Sequence, residues 1–254
     1  MSVDEPTPRA TTDGLTRISF YSVLSGLPRL APLPFVDDWA RDFLRRRLLR
    51  ELVATRPFEL SEPAIRHLAG GSDAPTLQGC LTGCLSVAAL KTALYIVKVV
   101  ARSIFRKILF FLAVKDVVDT AAETWQIGFL LRLALDRGDL TRDEPVAVGR
   151  VRAAIEATCA EVDTRIIEGH LFRLLRRSPR QLLHAARRLG RTLTSLRRRS
   201  RETGGRADTE SASLGLDNDP FLGHVADELG HDMATDTAYL RELETVYLRN
   251  LGIA

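Results

Sequence analysis

Aromatic residues are scarce in this chain: Phe, Trp and Tyr make up 6% of 254 residues. Scarce too are cysteine, with three residues, and lysine, with four against 32 arginines. Three cysteines build no disulfide framework. Cys80 and Cys84 lie one helical turn apart in an apolar run, where the thiol behaves as a small hydrophobe. A reducing compartment follows. With few β-branched runs, the chain is dominated by Ala, Leu and Arg, a composition that favours helix. Catalytic motifs are missing as well: there is no G-x-x-x-x-G-K-[ST], no G-x-G-x-x-G behind a strand, no G-x-S-x-G and no H-E-x-x-H. No cofactor is expected and no reaction can be read. The first residues, MSVDEPTPRATTDG, are acidic and hold prolines, so they do not read as a signal peptide. The expected location is cytoplasmic, peripheral to or partly inserted in a membrane.

What the chain does hold is one long apolar run, Leu77–Val118, with no proline and no glycine after Gly83. One long helix is the natural reading. At 100° per residue Lys91, Lys98, Arg102 and Arg106 fall in one narrow stripe, and the rest of the girth is mostly Leu, Ile, Val, Phe and Ala. Such a helix must be covered by other helices or by lipid. A bilayer span needs about 20 mainly apolar residues. The uncharged run Thr76–Leu90 has 15, and extending it to Val97 takes in Lys91. That lysine costs roughly 2.5–3.5 kcal/mol near a helix centre, which the Leu, Ile and Val of the segment only just offset. The fold expected is all-α: an irregular multi-helix bundle around this apolar helix, followed by a basic helix and an acidic helical tail.

Local signals divide the chain further. Residues 1–14 read as a disordered lead and 15–138 as the apolar helical core domain, in which Leu15–Leu27 is a short helix. Three prolines in Pro28–Pro34 call for an extended path. Asp37 then opens a helix whose apolar face is Trp39, Ala40, Phe43, Leu44, Leu48, Leu52 and Val53, with Arg41, Arg45, Arg46 and Arg50 off that face. Ser61-Glu-Pro63 starts a short helix, and a break is expected near Asp119. Residues 139–201 form a helical extension, with one helix from about Pro145 to Arg177 and a reset at Ser178-Pro179. Residues 202–219 read as a flexible linker and 220–254 as an acidic helical segment opened by Asp219-Pro220.

Charge is distributed in blocks. Gly169–Arg201 holds eleven arginines and no acid, whereas Glu202–Ala254 holds eleven acids and three arginines. Arg173, Arg176, Arg177, Arg180, Arg187, Arg188, Arg191, Arg197, Arg198 and Arg199 surround a stripe of Leu182, Ala186, Leu189, Leu193 and Leu196. Two uses fit this pattern. One is an anionic membrane surface, with the leucine stripe entering the interface and the arginines at the headgroups. The other is phosphate-backbone binding to nucleic acid, or a regulatory adaptor role. Nucleic-acid readers interleave aromatics for stacking, and only Phe172 is aromatic here, which favours the membrane, or an acidic partner within the chain, over nucleic acid; a separate protein partner is the other expectation. The acidic segment can also pair with the basic helix within the chain, as an electrostatic lid.

His224, Glu228 and His231 fall on one helical face, and Glu228-x-x-His231 has the spacing of half a carboxylate-bridged di-iron site. No second copy is present, so a metal enzyme is the weakest of the three readings.

Leu33-Pro34-Phe35-Val36-Asp37, leading into a basic amphipathic helix, resembles the entry of EcsC-like proteins. The later small-residue apolar helix with Gly79 and Gly83 is a looser echo over Leu77–Leu135. The resemblance covers less than half the chain. It implies an all-α, membrane-associated protein linked to transport or to small GTPase partners, with no catalytic residues.

Overall fold

The computed structural model describes residues 8–30, 37–70, 102–140, 144–202, 214–216 and 218–253. Among them the chain is all-α, with nine α-helices and no strand. In order these are α1 (Pro8–Gly26), α2 (Asp37–Ala54), α3 (Glu62–Leu68), α4 (Arg102–Arg137), α5 (Pro145–Glu161), α6 (Arg165–Arg177), α7 (Pro179–Glu202), α8 (Pro220–Thr235) and α9 (Thr237–Leu251). A 3₁₀ turn, Leu27–Leu30, follows α1.

Short-range chemistry sets most of the boundaries. Ser61 caps α3 by accepting from the Ala64 amide. Asp219 caps α8, its Oδ1 accepting from the amides of Phe221 and Leu222 at 3.1 and 3.3 Å, with Pro220 in the first turn. Asp236 caps α9 through the Tyr239 amide.

Four boundaries differ from expectation. The first helix begins at Pro8, inside the expected lead, with proline at its first position, where the missing N–H costs nothing. The Pro28 region is a 3₁₀ turn rather than extended chain, with Leu27 and Pro28 buried. No break occurs at Asp119: α4 runs through it, with Lys115 Nζ 2.6 Å from Asp119 Oδ2 and Val114, Val117, Val118, Ala121 and Ala122 buried in unbroken phase. The expected helix from Pro145 to Arg177 is two helices. Val162 is extended, and Asp163 Oδ1 accepts from the Arg165 amide at 2.9 Å, opening α6.

The core is built around α1, which packs most extensively on α8 and α4. Residues 77–101, the first part of the expected organising helix, lie outside the described residues, and the remainder of that helix begins α4. Small residues let α1 approach its neighbours. A Cβ on Gly26 would lie 2.4 Å from the Val117 carbonyl oxygen of α4. A Cβ on Gly230 of α8 would lie 2.9 Å from the Thr16 amide nitrogen of α1. Serines fill the seam beside them. Trp125 Nε1 donates to Ser19 Oγ at 3.1 Å, and Ser25 Oγ donates to Thr124 Oγ1 at 3.0 Å.

The acidic segment is therefore part of the core. Leu222, Val225, Leu229 and Met233 of α8, and Tyr239, Leu243 and Tyr247 of α9, are buried in the same cluster as α1.

Arg45 also departs from the reading of its helix. It is 6% exposed, not on a solvated face. Its Nε donates to Thr124 Oγ1 at 3.3 Å, and Nη2 lies 3.0 Å from Glu123 Oε1, a contact held by charge rather than by an aligned N–H. Burial pulls its pKa down and Glu123 opposes that.

Gly230→Ala should lower stability by about 1–3 kcal/mol, because the new methyl meets backbone that cannot swing aside. Gly223→Ala, on the same helix, meets nothing within 4 Å and should raise stability by about 0.5–1 kcal/mol. Urea unfolding of both variants checks this, and equal effects would contradict the packing of α8 on α1.

Candidate anion-binding surface

Helices α6 and α7 carry the basic block. Their apolar residues recur at helical spacing, so each buries one side and turns the other outward. On α6 the buried side is Ile167, Leu171, Leu174 and Leu175. On α7 it is Leu182, Ala185, Ala186, Leu189, Leu193 and Leu196. This corrects one expectation: the leucine stripe faces the protein core, in part against the 3₁₀ turn, and is not a free apolar face for lipid.

The arginines are left outside. Arg173, Arg176, Arg177, Arg180, Arg187, Arg188, Arg191, Arg198 and Arg199 are exposed and Arg197 is half-buried. They differ in how far they are already engaged. Arg188 Nη1 lies 3.1 Å from Asp219 Oδ2, and its Nη2 donates to the Gly215 carbonyl at 2.8 Å, so it locks the α8 cap. Arg177 Nη1 is 3.6 Å from Glu228 Oε2. Arg197, Arg198 and Arg199 also have partners. Arg173, Arg176, Arg180, Arg187 and Arg191 make no hydrogen bond or ion pair with the described residues. Among the described residues, the surface therefore presents five guanidiniums without a partner on a backbone fixed by its own core.

Of the other expected cations, Lys91 and Lys98 lie outside the described residues. So do the side chains of Arg102 and Arg106, whose backbone begins α4.

The histidine group does not assemble into a metal centre. His224 Nε2 is 3.7 Å from Glu228 Oε1, His231 is exposed, and no group of three or more His, Cys, Asp or Glu among the described residues could hold a metal ion. What the sequence did not show is that His170 Nδ1 lies 2.8 Å from Asp232 Oδ2, tying α6 to α8. Nor did it show that the α8 cap, Asp219, holds Arg188. Both partners were visible as residues, but only the fold brings them within reach.

Among the described residues, no helix is long and apolar enough to cross a membrane. The candidate span Leu77–Val97 lies outside them. No family model matches the chain, and no curated protein or solved structure does either.

Cys159 offers no nucleophile at neutral pH. Burial, reinforced by the Glu123 carboxylate, pushes its thiol up to about 12. The folded chain keeps this proton where the unfolded chain has lost it, so the contribution to stability is complete below the ordinary thiol range and is lost as pH rises toward 12. With Cys80 and Cys84 replaced by Ser, native Cys159 should react with a disulfide reagent at pH 8 at least about 100-fold more slowly than the urea-unfolded chain. Equal rates would show that the thiol is open to solvent.

Proposed function

We propose that the protein is a non-enzymatic peripheral membrane protein. It docks on an anionic bilayer, at the cytoplasmic leaflet, through the arginine face of α6 and α7. The observation that supports this most is a set of five exposed arginines with no partner among the described residues, on helices whose apolar side is already buried. Each basic residue held near anionic headgroups contributes about 1 kcal/mol, so five give roughly 5 kcal/mol. That corresponds to reversible binding at about 0.2 mM, set by charge rather than by insertion. The acids of α8 temper the face without covering it, since they engage Arg177 and Arg188 and leave the five free. The EcsC-like resemblance points the same way.

Because Arg attracts phosphate in any setting, the test must separate lipid from nucleic acid. Nuclease-treated protein should float with vesicles containing phosphatidylserine, not with neutral vesicles, and should be released by high salt. Changing Arg173, Arg176, Arg180, Arg187 and Arg191 together to Gln should abolish flotation while leaving thermal stability within about 1 kcal/mol, as these side chains are exposed. Equal flotation with neutral vesicles would contradict the reading. So would a five-Gln variant that still floats. Retention of nucleic acid without flotation would favour the nucleic-acid reading instead.

A further inference from the structure

Four helices other than those of the arginine face leave a cleft of about 990 Å³. It lies between the start of α1, the last turns of α2 and α4, and α9, and no residue of α6 or α7 lines it. A volume of this order suits a small organic ligand. Its floor is apolar, formed by Leu15, Leu52, Phe129, Leu133 and Leu240.

The charged groups around this floor are not equivalent. Each guanidinium already has a carboxylate. Arg17 Nε lies 3.7 Å from Glu51 Oε2. Arg56 donates to Asp136 and back to the Leu52 carbonyl, and Arg132 Nε lies 3.4 Å from Asp136 Oδ2. The Arg56 and Arg132 side chains are only 14% and 16% exposed. An anion entering here would have to displace an internal carboxylate. Asp13 and Glu244 are the reverse case: both line the cleft, and neither has a hydrogen bond or ion pair with the described residues. The backbone adds to the same sign. α2 ends at Ala54 and α4 at Arg137, so two helix C-termini, the negative ends of their dipoles, border the cleft.

We propose that this cleft binds an organic cation, with an ammonium group met by the Asp13 and Glu244 carboxylates and an aliphatic or aromatic body lying on Leu15, Phe129 and Leu240. The structure supplies its own reporter. Phe129 stacks on buried Trp125, with ring centroids 5.6 Å apart and planes at 4°. Trp39 is the only other tryptophan, so a Trp39→Phe chain reports on the cleft floor alone.

The experiment titrates that chain with 4-phenylbutylamine and with 5-phenylpentanoate, its carboxylate counterpart of similar length, following Trp125 emission. Calorimetry on the unsubstituted chain repeats the comparison without any substitution. The amine should saturate, and the carboxylate should bind at least about tenfold more weakly. Glu244→Gln should weaken the amine by about tenfold while the circular dichroism stays that of the parent. No saturable response to the amine up to about 10 mM would overturn the proposal, since a site of this size should hold such a ligand more tightly. Equal binding of the carboxylate, or a folded Glu244→Gln chain with unchanged affinity, would overturn it too.

Discussion

The structure depends on how closely α1 is held between α4 and α8. Where Gly26 meets the Val117 carbonyl and Gly230 meets the Thr16 backbone, the helices touch main chain to main chain, and a single methyl would part them. Close packing of this kind raises the number of dispersion contacts per residue and makes the interior intolerant of added volume. It also brings polar atoms together, and each must find a partner. Ser19, Ser25 and Thr124 do so within the seam, and Trp125 and Arg45 are drawn in by the same hydroxyls. Helix α1, early in the sequence, thus fixes α8, which comes late in it.

That arrangement changes what the charge asymmetry means. Read along the chain, a basic block followed by an acidic block suggests two pieces that open and close. In the fold, the acidic block supplies apolar side chains to the core, and its acids act as clasps: His170 to Asp232, Arg177 to Glu228, Arg188 to Asp219. Removing residues 202–254 would take Leu222, Val225, Leu229 and Met233 out of the centre, so it would not simply uncover the arginines. Among the described residues, five members of the arginine face have no internal partner, so no described acid has to be moved aside to expose them.

Features carried by adjacent residues could be read in advance. The all-α class, the apolar face of α2, the Ser61 start of α3, the Ser178-Pro179 reset and the Asp219 cap all follow from local spacing and capping. Features that depend on distant partners could not. Arg45 looks like any surface arginine of an amphipathic helix, and only Thr124 and Glu123, far along the chain, make it a buried one. A break is expected near Asp119 because Ala121–Leu135 begins a fresh apolar pattern, yet the two patterns join in one helix, with Lys115 one turn back paired to Asp119. The break at Asp163 was hidden for the opposite reason: Val162 and Ile166 keep the apolar spacing across it, although Ile166 proves to be 40% exposed. The leucine stripe was legible as a face that must be covered, but amphipathicity does not say whether protein or lipid covers it. The cleft draws on four helices and left no mark in any one of them.

Helix α7 is seated on the core through its leucines before it meets any membrane. Hydrogen exchange of the free protein, and of the protein on phosphatidylserine vesicles, tests it directly. Strong protection of the Leu182–Leu196 amides is expected in the free protein, little changed on vesicles, because binding adds only contacts at arginine side chains. Rapid exchange of those amides in solution, with protection appearing only on vesicles, would contradict it. It would mean that the leucine stripe is open and is covered by lipid.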